Sequence, residues 1–278
     1  MGVSALSTRA GHTGARGRPL PARRPSPTMA AVTRLPDPRL ARRFRRALLG
    51  WYRRNRRDLP WRRTTDPYHI LVSEIMLQQT QVDRVIPKYR EFLLRYPTLE
   101  SLARARPASV RKIWYPLGYN IRPLHLSAIA RETMARYEGR LPDTSEALIA
   151  LPGIGRYTAG ALLSFAFGRD AHLVDTNVRR VLGRVFLGSR RLRALRGDAP
   201  LWRLSEALLP SGRAYDWNQA LMDFGATWCT PRSPRCESCP MRHFCASYPF
   251  APARAPAKRP RRRPQLAPGG QARSRART

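Results

Sequence analysis

Leu40, Phe44, Leu48 and Trp51 fall at i, i+4, i+8 and i+11, which places them on one face of an amphipathic helix. Val178, Leu182 and Val185 repeat the spacing, as do Leu201, Leu204 and Leu208. Turn signals at Asp66-Pro67, Tyr96-Pro97, Leu141-Pro142-Asp143 and Pro152-Gly153 separate helices of roughly 8–18 residues. No segment alternates with the period of a strand, and no repeat appears at solenoid spacing. The pattern predicts an all-α protein. Its helical core runs over 37–228, followed by a cysteine-bearing loop over 229–245. The leader 1–36 and the tail 246–278 are rich in Pro, Arg, Ala and Gly, are poor in large apolar residues, and read as disordered.

Charge adds a partner to this picture. The chain of 278 residues carries 52 basic and 18 acidic side chains, a net +34. Only Lys88, Lys112 and Lys258 are lysines, so arginine supplies the rest; a GC-rich codon pool would do the same. The tails do not account for the excess, because the middle keeps 37 basic against 18 acidic residues. A folded body that positive repels itself unless it meets a polyanion, and nucleic acid is the obvious one.

No stretch is long and apolar enough to cross a membrane, and the N-terminus lacks the apolar run of a secretory or twin-arginine signal. The residues before Met29 read as an over-extended or disordered leader, and the expected location is cytoplasmic and nucleoid-associated. All four cysteines lie within 229–245, which in a chain without an export signal speaks for a metal site rather than disulfides.

Those cysteines follow Cys229-x6-Cys236-x2-Cys239-x5-Cys245, close enough to encircle one metal centre. Structural zinc and an iron–sulfur cluster both take four thiolates. Zinc sites pair two short knuckles, however, and here there is one short knuckle flanked by longer gaps. Arg232, Arg235 and Arg242 in the same loop suit docking on DNA phosphates.

Further upstream, Leu151-Pro152-Gly153-Ile154-Gly155-Arg156-Tyr157 sets two glycines around one apolar residue just before a helix. A tight hairpin there exposes backbone N–H groups beside a helix N-terminus, an anion site that fits a DNA phosphate. An ordinary helix–helix turn would read the same way. Asp175, in Leu173-Val174-Asp175-Thr176-Asn177-Val178, stands just before an amphipathic helix, where aspartate is a natural N-cap. Glu74 lies among near-continuous apolar residues in Ile70-Leu71-Val72-Ser73-Glu74-Ile75-Met76-Leu77. Burying it ionised is costly, so its pKa should rise, which suits a general acid at neutral pH.

Taken together, these segments resemble the helix-hairpin-helix DNA glycosylase superfamily, and within it the MutY-type adenine glycosylases. The resemblance spans about residues 38–245 and rests on several motifs. One is Glu74-Ile75-Met76-Leu77-Gln78-Gln79-Thr80, and a second is Val174-Asp175-Thr176-Asn177. A third is the cysteine loop with Cys229-Thr230-Pro231-Arg232, which is similar to the [4Fe-4S] loop of the endonuclease III and MutY families. The resemblance implies a two-lobed fold with the hairpin motif over about 148–167 and a [4Fe-4S] cluster on Cys229, Cys236, Cys239 and Cys245.

It also implies roles. Glu74 would protonate the leaving adenine, and Asp175 would be the catalytic aspartate while still capping its helix. Tyr157 takes the position where lyases such as endonuclease III carry a Schiff-base lysine. Arg57 and Trp61, from Arg57-Asp58-Leu59-Pro60-Trp61, would meet the extruded base together with Gln219. Gln79 and Tyr119 would wedge into the duplex as the base leaves the stack. Gly153, Gly155 and Asn177 would contact DNA.

The expected partner is double-stranded DNA with a mismatched or damaged pair, bound by a monomer that removes adenine opposite guanine or 8-oxoguanine. Two departures stand out. Asn120 replaces a second tyrosine usual in the family, and the family's separate 8-oxoguanine-recognition domain does not fit in the residues after Cys245. G/T-mismatch thymine or uracil glycosylases, which share Tyr157, are the alternative enzyme. A non-catalytic DNA-damage binder is the alternative of another class.

Overall fold

The computed structural model describes residues 36–250. The expected leader through residue 35 and the tail beyond 250 lie outside the described residues. Within them are twelve α-helices and no strand, and no helix is long and apolar enough to cross a membrane.

The first helix, α1 (Pro38–Asn55), starts where the Asp37 carboxylate accepts from the backbone N–H groups of Arg39 and Leu40, with Pro38 in the first turn. Its buried face is Ala41, Phe44, Leu48, Trp51 and Tyr52, close to the stripe read from the spacing.

Seven helices follow as one group. They are α2 (Pro67–Leu77), α3 (Val82–Arg95), α4 (Leu99–Ala103), α5 (Pro107–Trp114), α6 (Arg122–Arg136), α7 (Ser145–Ile149) and α8 (Arg156–Phe165). The chain then forms α9 (Thr176–Leu182), a π-helical turn at Gly183–Leu187, α10 (Ser189–Ala194), α11 (Ala199–Leu208) and α12 (Ala214–Thr227).

Two lobes result. In one, α12 packs on α1 and α9. Phe44 meets Trp217 edge to face at 5.6 Å between ring centroids, and Trp51 meets Phe224 at 4.9 Å. Arg45 ties α1 to the end of α11 by donating to the carbonyls of Leu208 and Ala207, which otherwise lack partners at a helix C-terminus. In the other lobe, α2 is the centre, packed by α3, α6 and α8. It buries Tyr68 and every residue from Ile70 to Met76. A helix apolar on all sides belongs inside, and here it carries Glu74 inside with it. The lobes meet where α8 packs on α12.

Residues 246–250, read from the sequence as the start of the tail, are among the described residues. Ala246 N–H donates to the Val185 carbonyl at 2.9 Å, and Ser189 donates to or accepts from Ser247 at 2.8 Å. These bonds hold the residues after Cys245 against the π-helical turn.

Candidate active site

Between the lobes lies a cavity of about 560 Å³. Its walls come from the Pro60–Arg62 turn, α2 and the turn after it, the start of α9, and α12. Arg57, Trp61, Glu74, Gln79, Tyr157, Asp175, Asn177 and Gln219 all line it. Eight residues singled out from five separate stretches of sequence are thus in one place.

Glu74 enters from α2 and is 3% exposed. Its Oε2 is buried and has no hydrogen-bond partner among the described residues. Burial pushes its pKa up to about 7; a hydrogen bond from Tyr157 pulls downward, and the neighbouring Asp175 pushes further up. Tyr157, on the first turn of α8, has a hydroxyl held well above its usual range, first by burial and then by Glu74 and Asp175. It therefore stays protonated and can donate to the Glu74 carboxylate.

Asp175 enters from the opposite lobe as the N-cap of α9. Its Oδ1 accepts from Val178 N–H at 2.6 Å, and its Oδ2 accepts from Asn177 Nδ2 at 2.9 Å. Burial raises its pKa, while these bonds and the Arg180 charge act in the opposite sense. Asn177 is in turn fixed by Arg180, whose Nη2 donates to its Oδ1 at 2.7 Å. Gly225 on α12 makes room for this arrangement, because a Cβ there would lie 2.6 Å from Asn177 Cβ.

Trp61 is buried edge to face on Tyr89 at 5.4 Å. Arg57 is only partly free to face a ligand, since its Nε donates to Asp223 Oδ1 at 2.6 Å. Asp223 also takes two bonds from Arg62, each at 2.8 Å. Burial alone would raise the Asp223 pKa, but the bonds and charge of Arg62, with Arg57, hold it below the usual carboxylate range. This pair of arginines on one buried aspartate pins the Pro60–Arg62 turn to α12, and so sets the distance between Trp61 and Gln219 across the cavity. Sequence reasoning missed Arg62 and Asp223. The signal that found Glu74, a lone acid amid apolar helix residues, was equally present at Asp223.

Other expected residues lie outside the cavity. Gly153 takes φ +76°, and a Cβ on it would lie 2.4 Å from His125 Nδ1, so the hairpin requires glycine there. Gly155 is the N-cap of α8, exposed with open space around it. Tyr119 is 57% exposed at the tip of the loop after α5.

The four cysteines form a second site. They ring one cavity with Phe224, Trp228 and Met241 in its walls; among the described residues no three ligand side chains close on a single point. Burial and the other thiols push Cys239 up to about 11, so four thiolates here call for a cationic centre. Arg184 supplies further positive charge, with Nη1 3.5 Å from Cys229 Sγ and 2.7 Å from the Thr230 carbonyl. Half-buried thiols, apolar walls and a guanidinium donor fit a [4Fe-4S] cluster, which such a site would hold for structure and electron transfer. Arg180 links the two sites, its Nε donating to the Cys229 carbonyl at 2.7 Å.

Protein purified without oxygen is expected to be brown, to absorb broadly in the visible, and to hold about four iron atoms per chain. Stoichiometric zinc with no iron, measured by elemental analysis, would overturn that expectation.

Comparison with known proteins agrees with this geometry. Residues 72–198 match the family described as HhH-GPD superfamily base excision DNA repair protein. Residues 229–245 match the iron–sulfur binding domain of endonuclease III. Adenine DNA glycosylase of Homo sapiens is 43% identical over 211 residues, covering 73% of this chain and 39% of that protein. Thymine/uracil-DNA glycosylase of Methanothermobacter thermautotrophicus is 39% identical over 206 residues, covering 74% of this chain and 93% of that one. The solved structure of a thermostable thymine-DNA glycosylase superposes with a TM-score of 0.71 at 37% identity, over 77% of this chain and 98% of the other. The chain spans about two fifths of the length of the mammalian adenine glycosylases it matches. With one relative 39% identical over nearly its whole length, and with the hairpin, cavity and cysteine ring described above, the chain belongs to the HhH-GPD superfamily of base excision DNA repair proteins.

Proposed function

We propose that the protein is a monofunctional DNA glycosylase that hydrolyses the N-glycosidic bond of adenine mispaired with guanine or 8-oxoguanine. The observation that carries this reading is Glu74, a cavity-lining buried carboxyl whose pKa burial raises to about 7 and whose Oε2 has no hydrogen-bond partner among the described residues. A neutral acid at that point is poised to protonate a ring nitrogen with a lone pair, such as N7 of adenine, and so turn the base into a better leaving group. Thymine offers no such basic ring nitrogen.

The base reaches the cavity by leaving the duplex stack. Trp61 and Gln219 flank it there, and Gln79 and Tyr119 fill the space it vacates. As the bond breaks, the ionised Asp175 stabilises the positive charge developing on the sugar, while the closed cavity strengthens that attraction. Tyr157 has no amine and cannot form an imine with the sugar. The glycine hairpin and the arginine-bearing cysteine loop contact phosphates without reading sequence.

A second reading, removal of thymine or uracil opposite guanine, is favoured by the likeness to a thymine/uracil glycosylase over nearly all of that relative's length. Incubation with duplexes carrying A·8-oxoG, A·G, T·G and U·G, each followed by alkali, separates the two. Alkali-dependent breaks are expected in the first pair of substrates, with no borohydride-trapped adduct. Breaks confined to T·G and U·G would replace the adenine reading, and breaks before alkali would remove the monofunctional one.

A further inference from the structure

Two exposed tips stand beside the cavity, Gln79 after α2 and Tyr119 after α5. Gln79 has φ 56° and Tyr119 φ 49°; Glu138 is the third non-glycine with positive φ among the described residues. For residues with a Cβ this left-handed conformation is strained, and it persists only where surrounding structure over-determines it.

Arg122 supplies that constraint for both tips. It is 4% exposed, and its contacts include no carboxylate. Its Nη1 donates to the carbonyls of Ile75, Met76 and Gln78 at 3.0, 2.9 and 2.6 Å. These are carbonyls at the C-terminal end of α2, where helix groups lack partners and cations are favoured. Its Nη2 donates to Thr80 Oγ1 at 3.1 Å and to the carbonyls of Leu117 and Gly118 at 3.2 and 3.1 Å. The guanidinium also faces the rings of Trp114 and Tyr119, 5.4 and 5.3 Å from their centroids. One planar group therefore holds the chain before Gln79 with one nitrogen, and with the other holds both Thr80 just after it and the loop leading to Tyr119.

We propose that Arg122 is a positioning residue that locks the Gln79 and Tyr119 tips to each other, so that they enter the duplex as one rigid wedge. The inference rests on the reading of these tips as duplex-invading. A buried cation without a counter-ion is costly to keep, and fixing two loops in register gives it a use that folding α6 alone would not. Arginine is required because only its fork spans both loops; a lysine carries the charge but is a single point.

The test uses full-length, iron-loaded protein and duplexes with the mispaired base that the wild type excises. 2-Aminopurine next to that base reports unstacking. Arg122→Lys is expected to bind the duplex but to lose most of the fluorescence rise. Its base release from the paired duplex should fall about a hundredfold, the scale of a misplacement near 1 Å. Release from a duplex with an abasic analogue opposite the same base, where no pair need be broken, should fall far less.

Thr80→Val removes one bond of the set and should show the same substrate-selective pattern, several-fold in size, even if Arg122→Lys folds poorly. Equal losses on both duplexes for Thr80→Val, or an unchanged fluorescence rise in a folded Arg122→Lys, would overturn the inference. No fluorescence rise with the wild type would instead remove the wedge reading beneath it.

Discussion

Glu74→Gln is expected to slow base release by about 10²–10⁴-fold, the contribution of one well-placed proton donor, with duplex affinity near that of the wild type. Glutamine matches the shape and can still accept from Tyr157, so the cavity keeps its form. What it cannot do is give up a proton. In the wild type, single-turnover rate should fall as pH rises through about 7, where Glu74 loses its proton. On the acid side the rate should fall as Asp175 protonates, at a pH above the usual carboxylate range because burial raises its pKa. Glu74→Gln should lose the alkaline limb and keep the acid one. Retention of the alkaline limb in the variant would assign that limb to another group, and a near wild-type rate would remove Glu74 from the chemistry.

The same substitution carries an opposite effect on stability. In the unfolded chain Glu74 keeps the ordinary glutamate value of 4.5, and in the folded protein burial raises it to about 7. Below both values the group is protonated in both states and contributes nothing. As pH rises between them, the unfolded chain releases the proton first, so folding becomes progressively less favourable, and the full cost persists above 7. Relative to the wild type, Glu74→Gln should therefore gain about 2 kcal/mol between pH 5 and pH 8, readable from denaturant midpoints. The acid proposed to serve catalysis is held in place at the expense of the fold.

How much of this was legible in the sequence differs residue by residue. The all-α class and the buried face of α1 follow from a spacing near 3.6, because helix geometry converts period into burial directly. Glu74 was legible because the near-continuous apolar residues of α2 around it leave it no polar side to face. Asp175 was legible as a cap, and its second role came from resemblance alone, since one carboxylate before a helix looks the same in either role.

Asp223 obeys the Glu74 rule yet ends with the opposite pKa shift, because Arg57 and Arg62 reach it from 166 and 161 residues away. Nothing local records such a partner. Arg122 is harder still. Among so many arginines its burial cannot be singled out, and the positive φ of Gln79 and Tyr119 leaves no trace in residues that are neither glycine nor asparagine. Sequence patterns thus report how a segment meets the core, whereas pairings across the cavity depend on the closed fold.

Asp175→Asn should reduce base release by at least about 10²–10³-fold, the scale of removing one preorganised electrostatic contact at a developing charge, and leave DNA binding largely intact. The choice of asparagine separates the two roles of this residue. Asparagine caps helices about as well as aspartate, so α9 keeps its N-terminal hydrogen bond to Val178, and a loss of rate reports the missing charge. The cost to stability should be modest and has an identifiable source. Arg180 donates to Asn177, and Asn177 donates to Asp175, so the row of donors runs one way and ends on a carboxylate. An amide at 175 can accept either from Val178 or from Asn177 with its one oxygen, and turning Asn177 over would set its amide hydrogens against the Arg180 guanidinium. One hydrogen bond is therefore lost, worth about 1 kcal/mol. Binding, proposed to draw on phosphate contacts by the hairpin and the arginines of the cysteine loop, should fall steeply with salt in variant and wild type alike. The measurement is single-turnover base release beside equilibrium binding at two salt concentrations. A near wild-type rate in Asp175→Asn would leave the aspartate as a cap alone. Parallel loss of binding and rate would instead mean that α9 had moved and that the charge had not been tested, in which case Asp175→Glu, which keeps the charge but shifts it by a methylene, decides the matter: activity lost with binding kept assigns the role to a carboxylate at that one position.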